Sequence, residues 1–124
     1  EYYVSKNVEL YLSLKSTEGP TVMATSSGFM TYDASIHPQI RQIHQDILDC
    51  PRTVLLLPSF DEEKCVKETV RRQATKVHED RDPHIQRARI VERFPVYVQM
   101  GSIKVSTDVP VATVVENILL QAGI

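Results

Sequence analysis

The sequence predicts an α/β domain in which helices flank a parallel sheet. Three short runs rich in β-branched and aliphatic residues indicate strands, at Thr21–Thr25, Thr53–Leu57 and Ile103–Thr107. Segments with apolar residues at helical spacing separate these runs, and strands that alternate with helices form parallel units with right-handed crossovers. Because 124 residues suffice for one domain, we expect a single domain, 1–124, with three strands and five helices.

The first segment supports two interpretations. Its apolar residues alternate with polar ones, which is typical of a half-buried strand; they are Val8, Leu10, Leu12 and Leu14. A helix over the same residues would instead bury Val8, Tyr11 and Leu12 on one side, with Leu14 at its margin. Periodicity alone slightly favours the strand.

The next two elements have clearer signals. The run Thr21–Thr25 lies between Gly19-Pro20 and a loop that contains Gly28, and its continuous apolar character predicts a strand buried on both faces. A helix follows, because isoleucines recur at helical spacing and Pro38 lies near its start. These isoleucines are Ile36, Ile40, Ile43 and Ile47.

The central strand and its helix are bounded by turn and capping residues. Pro51 and Pro58 flank Thr53–Leu57, and Ser59 with Glu62 has the spacing of a capping box. We expect the helix that begins here to run to about Gln73. The charged stretch 76–84 contains a proline and predicts an exposed loop.

A further helix is expected over about 85–99, then the strand Ile103–Thr107 and a closing amphipathic helix from Val111 capped by Asp108 or Thr107. In parallel sheets, ligands bind beyond the carboxyl ends of the strands. Three loops should lie at that edge: 26–30, 58–61 and 107–110.

Composition argues against several classes of protein. The formal net charge is −2, and the basic residues lack interleaved aromatics, so we expect neither nucleic acid nor a membrane as partner. Two cysteines, Cys50 and Cys65, do not make a disulfide framework, which favours a reducing cytosolic or organellar interior. Of these we predict a cytoplasmic location. No histidine has metal-ligand spacing with another, so no metal ligands are predicted.

Arginines concentrate in one part of the chain. Guanidinium groups bind phosphate and carboxylate in bidentate fashion, so the cluster suggests an anion site. A solvated helix face paired with nearby acidic residues is the alternative interpretation. The arginines are Arg71, Arg72, Arg81, Arg87, Arg89 and Arg93.

Two short motifs in this region resemble the shikimate kinases, which are small P-loop kinases. The stretch 93–97, Arg-Phe-Pro-Val-Tyr, is similar to the family's Arg-x-Pro-Leu-Tyr, and 70–72 is similar to its paired arginines. By resemblance, Arg93 holds a substrate carboxylate, Arg72 and Pro110 hold adenine, and Arg81 is the catalytic arginine of a lid region at about 74–84. The resemblance also favours a helix for the first segment, and we predict one there.

The chain departs from the family in ways that matter. Ser27 and Gly28 occupy the place of the family's substrate-binding glycines, and Leu12 stands where a second carboxylate-binding arginine is expected. None of the four glycines opens a G-x-x-x-x-G-K-[ST] loop. In the family, the strand before that loop lies between the equivalents of Thr21–Thr25 and Thr53–Leu57. The expected fold is therefore P-loop-kinase-like without its N-terminal strand.

The resemblance implies a kinase portion that transfers the terminal phosphoryl of ATP to a hydroxyl of a carboxylated polyol, shikimate in the family. ATP and Mg²⁺ are then the implied cofactors, and a segment or chain carrying a P-loop is the implied partner. Without that loop we expect no turnover. The alternative is a degenerate kinase-fold module that binds a ligand or partner without catalysis.

Overall fold

The computed structural model describes residues 1–74 and 82–124. These residues form two compact units, Glu1–Asp49 and Cys50–Ile124. Together they contain five α-helices and a two-stranded parallel sheet, so the mixed α/β class is confirmed. Within the described residues, no helix is both long enough and apolar enough to cross a bilayer.

The first unit is helical. Helix α1 spans Tyr2–Lys15, a single 3₁₀ turn spans Phe29–Thr31, and α2 spans Ile40–Asp49. The helix predicted for the first segment is therefore confirmed, although its apolar residues alternate. A helix forms although the apolar residues alternate, because the structure buries Val8 and leaves Leu10 and Leu14 largely exposed. The other core residues of this unit are Phe29, Met30, Ile40 and Ile43.

The strand predicted at Thr21–Thr25 is wrong. These residues have no regular secondary structure, and the side chain of Val22 is 98% exposed. A strand buried on both faces needs neighbours that satisfy its backbone groups, because unpaired buried amides are costly. Among the described residues the sheet has two strands rather than three, and neither of them pairs with this segment.

The second unit contains the sheet. Strand β1 (Val54–Leu57) leads to α3 (Glu62–Ala74), and α4 (Pro83–Tyr97) leads to β2 (Ile103–Ser106) and α5 (Val111–Ala122). The strands pair in parallel, with Val54 opposite Ile103 and Leu57 opposite Ser106. The parallel arrangement predicted from the alternation of strands and helices is confirmed for this pair. The core residues of this unit are Leu55, Cys65, Val66, Phe94, Ile103 and Val105.

The helix starts differ in detail from the prediction. In α3, the Asp61 carboxylate accepts from the backbone N–H of Lys64 at 3.0 Å, so Asp61 caps this helix rather than Ser59. In α4, Asp82 accepts from the N–H of His84 at 2.8 Å, and the helix begins at Pro83, inside the predicted loop 76–84. Residues 75–81 of that loop and of the lid region lie outside the described residues.

The cap predicted for α5 is also wrong. The helix begins after Pro110 without a side-chain cap, so neither Asp108 nor Thr107 caps it. The Thr107 hydroxyl instead accepts from Arg72, which lies 35 residues earlier in the chain. The Thr107 side chain, which the local pattern predicts as a helix cap, therefore bonds instead to a guanidinium that is distant in the sequence.

Candidate functional site

Arg72 reaches the carboxyl end of β2. Its Nη1 donates to the Thr107 hydroxyl at 3.0 Å, and its Nη2 donates to the Thr107 carbonyl at 3.1 Å. Two bonds from one planar group to one residue fix the orientation of the guanidinium. The Arg72 side chain is still 41% exposed, so part of this fixed cation meets solvent.

A single carboxylate supports Arg72 from its own helix. Glu68 precedes Arg71 by three residues and Arg72 by four, the spacings that place side chains side by side on a helix. Arg72 Nε donates to Glu68 at 3.0 Å, and Arg71 donates to it through Nε at 2.9 Å and through Nη2. These bonds, from Arg71 first and from Arg72 next, lower the pKa of Glu68 from 4.5 to about 2.

The two loops that follow the strands are joined at the same edge. The N–H of Thr107 donates to the Leu57 carbonyl at 2.8 Å, and the Ser106 hydroxyl donates to the Pro58 carbonyl at 2.9 Å. Pro110 follows three residues after Thr107 and forms the N-terminal boundary of α5. Arg72 and Thr107 are therefore brought together at the carboxyl edge of the sheet, the edge where α/β proteins bind ligands.

Arg93 lies in α4, one helical turn before the helix ends at Tyr97. Its side chain is half-buried, next to the buried Phe94. From Tyr97 the chain enters β2 at the amino end of that strand, whereas Arg72 contacts the carboxyl end. A role for Arg93 in holding a carboxylate stays a prediction. Arg81, predicted as catalytic, lies outside the described residues.

Ser27 and Gly28 belong to the first unit. Ser27 is exposed, and Gly28 is buried, with its carbonyl accepting from the Thr31 N–H at 2.9 Å and the Thr31 hydroxyl at 2.8 Å. Gly28 has φ −99°, a backbone conformation that other residues also adopt. The other three site residues in the described part of the chain, Arg72, Arg93 and Pro110, belong to the second unit.

A polar cluster beside Ser27 in the first unit was not predicted from the sequence. The Tyr32 hydroxyl lies 3.0 Å from the Ser26 hydroxyl and accepts from the Asn7 side-chain amide at 3.2 Å. The Tyr32 ring packs against Phe29, with ring centroids 5.2 Å apart. These contacts hold the loop that contains Ser27 onto α1 of its own unit.

The described residues contain no group of three or more metal-ligating side chains that could hold a metal ion. Thr107 and Glu68 are the two contributors to the Arg72 site that sequence reasoning missed. Glu68 was detectable from its helical spacing to both arginines. Thr107 had no such signal, because its contact spans 35 residues.

Comparisons of the chain with protein-family models, with curated proteins and with solved structures found no match.

Proposed function

We propose that this chain is the nucleotide- and substrate-covering portion of a shikimate-kinase-like phosphotransferase. The complete enzyme would transfer the terminal phosphoryl of ATP to a hydroxyl of a carboxylated polyol such as shikimate. One observation carries the proposal: the Arg72 guanidinium is fixed at the carboxyl edge of a parallel strand pair, and Pro110 follows three residues after its partner Thr107 in the chain.

Arg72 suits the base end of a nucleotide. Thr107 and Glu68 hold its donors in place and leave the side chain 41% exposed. A planar guanidinium held in this way stacks on an aromatic ring through its face, and the base gains from the cation as well as from contact. In the proposal Pro110 supplies an apolar surface on the other side of the base.

The phosphate end of ATP and its Mg²⁺ do not fit the described residues. The sequence has no glycine-rich phosphate loop, and the described residues offer no carboxylate cluster for a metal ion. A segment or chain that carries a P-loop would have to hold both groups. We therefore expect the isolated chain to bind the base of ATP without turning ATP over.

The phosphoryl acceptor would bind to other residues of the predicted site. In the proposal the forked Arg93 guanidinium binds the acceptor carboxylate through two parallel hydrogen bonds. Arg81 neutralises charge on the transferring group. Catalysis would then depend mainly on positioning and on stabilisation of charge.

Thermal denaturation with and without ATP tests the nucleotide site. We expect ATP to raise the melting temperature of the isolated chain, with weak, roughly millimolar affinity because the phosphates lack their loop. The Arg72→Ala variant should lose this response. Arg71→Ala is the matched control, since Arg71 shares Glu68 but is 65% exposed and is not seen to bond Thr107. An equal response in the wild type and Arg72→Ala would contradict the nucleotide site.

A second candidate function is a non-catalytic kinase-fold module. The observation in its favour is the exposed, irregular segment 21–25, where the kinase interpretation expects a strand. The two candidates differ in a simple measurement. A folded chain that shows no change in melting temperature with ATP, adenosine or shikimate would favour the module.

A further inference from the structure

All three nitrogens of the Arg72 guanidinium donate within the second unit. Nη1 and Nη2 donate to two oxygens of Thr107, at 3.0 Å and 3.1 Å, and Nε donates to Glu68 at 3.0 Å. Two oxygens of one residue lie close together, so they occupy the end-on fork between Nη1 and Nη2. Glu68 occupies the Nε member of the side fork. Neither fork therefore presents the pair of donors with which a guanidinium binds the edge of guanine.

The polar groups around Thr107 are also engaged. The Thr107 N–H donates to the Leu57 carbonyl at 2.8 Å, and its carbonyl and hydroxyl oxygens accept from Arg72. The neighbouring Ser106 hydroxyl donates to the Pro58 carbonyl at 2.9 Å. These bonds use the backbone and side-chain groups that could otherwise hydrogen-bond to a base.

Pro110 has no backbone N–H to donate. Its carbonyl accepts from the N–H of Thr113 at 2.9 Å and from that of Val114 at 3.1 Å, in the first turn of α5. The pyrrolidine ring is then what Pro110 offers to a ligand. An apolar ring makes contact with a base but does not distinguish one hydrogen-bonding pattern from another.

We infer that the base site binds the face of a base rather than its hydrogen-bonding edge, and so accepts purine nucleoside triphosphates in general rather than ATP alone. This inference rests on the proposed function, which takes Arg72 and Pro110 as the two sides of the site. The Arg72 side chain is 41% exposed although its forks are engaged. Every base has an aromatic face, so stacking tolerates a change of base.

The contrast is with sites that read the edge of a ligand. Such a site rejects an analogue that lacks the matching group by roughly 10⁴-fold or more, because its own polar groups are left unpaired. A stacking site instead responds to the size of the ring. We therefore expect ATP, GTP and inosine triphosphate to bind within about fivefold of one another, and CTP and UTP to bind roughly three- to tenfold more weakly than ATP.

NMR titration of the full chain tests this specificity, with the amide resonance of Thr107 as the reporter. Inosine triphosphate is the sharpest probe, because it differs from ATP only along one edge of the ring, where a carbonyl acceptor replaces the amino donor. Inorganic tripolyphosphate is the control for the phosphates, and we expect it to cause no saturable shift. The comparison uses the wild-type chain, so it does not depend on whether a variant folds.

Arg72→Lys provides the second test. Lysine keeps the positive charge and has no planar group to stack on a base. We expect this variant to bind ATP and GTP roughly fivefold or more weakly than the wild type, with the ratio of the two affinities unchanged. Arg71→Lys is the matched control and should bind both nucleotides as the wild type does, since Arg71 is 65% exposed and contacts the same Glu68.

The outcomes separate this inference from the proposed function. A preference for ATP of more than about fivefold over GTP or inosine triphosphate would overturn the inference and leave the nucleotide site standing. Unchanged affinity in Arg72→Lys, or CTP that binds as tightly as ATP, would also overturn it. Tripolyphosphate that binds as tightly as ATP, or no response to any nucleotide, would overturn the base site of the proposed function together with the inference.

Discussion

At the scale of single residues, one carboxylate organises two arginines. Glu68 accepts from Arg71 and Arg72, and Arg72 in turn bonds the hydroxyl and the carbonyl of Thr107. Arg72 is therefore held between its own helix and the end of β2. This arrangement links α3 to the sheet edge and also presents the arginine to solvent.

The lowered pKa of Glu68 predicts a pH dependence of stability. Its pKa falls from 4.5 to about 2 on folding, so the unfolded chain binds the proton more readily. The contribution of Glu68 to stability is complete above about pH 4.5 and is lost as the pH falls toward 2. We expect the melting temperature of wild type to fall more steeply across this window than that of Glu68→Gln.

The control for the pH experiment is Glu92→Gln, on the exposed face of α4, which should keep the wild-type slope. Parallel slopes for wild type and Glu68→Gln would mean that the ion pairs of Glu68 do not form in solution.

The contact between Arg72 and Thr107 should appear as a coupling energy. Thr107→Val keeps the shape of the side chain and removes the acceptor of the Arg72 bond. In a double-mutant cycle with Arg72→Ala, we expect a coupling of about 1 kcal/mol in the free energy of unfolding, because the pair is only partly buried. Urea denaturation of the four proteins measures it. The same cycle with Arg71→Ala should be additive, and equal coupling for both arginines would contradict the geometry.

At the scale of elements, the sequence correctly predicted the helices and strands that follow from a local pattern of apolar residues. Isoleucine spacing located α2, and an apolar run between two prolines located β1. The segment 21–25 also carries a short apolar run but is not a strand, because a strand also requires a neighbour with which to pair. The sequence pattern indicates which side chains a segment could bury, and the presence of a neighbouring strand decides whether the segment forms a buried strand.

The connection from α4 to β2 depends on one glycine. Gly101 has φ +85°, and a Cβ at this position would lie 2.9 Å from the Leu55 Cβ and 3.2 Å from the Ile103 carbonyl. Both the left-handed backbone and the close approach disfavour a side chain. We expect Gly101→Ala to lower the free energy of unfolding by roughly 2–4 kcal/mol, measured by urea denaturation.

A comparison with Gly19 separates the cost of the left-handed backbone from the cost of the close approach. It has a similar φ of +91°, but a Cβ there would meet nothing within 4 Å. Gly19→Ala should therefore show only the backbone cost, about 1 kcal/mol. If the two variants were equally destabilised, the close approach of Gly101 to β1 would not be present in solution.

At the scale of the whole molecule, the candidate site residues divide between two units. Arg72, Pro110 and Arg93 lie in Cys50–Ile124, and Ser27 with Gly28 lie in Glu1–Asp49. The sequence indicated Arg72 and Pro110 as partners around a base only through the resemblance to the shikimate kinases. It did not reveal that Thr107 would hold Arg72, since a contact between residues so far apart follows from packing rather than from local spacing.

This division predicts that nucleotide binding belongs to the second unit. In the full chain, ATP should shift the amide resonances of residues at the strand ends, Thr107 above all, and leave α1 and α2 unperturbed. A fragment spanning Cys50–Ile124 that is folded by circular dichroism should bind ATP within about a factor of two of the full chain.

The reason is that Arg72, its two partners Glu68 and Thr107, and Pro110 all lie within this fragment. Shifts in the full chain that concentrate around Ser27 and Gly28 would contradict the assignment, whether or not the fragment folds. A folded fragment that lost ATP binding would show that the base site needs residues from the first unit.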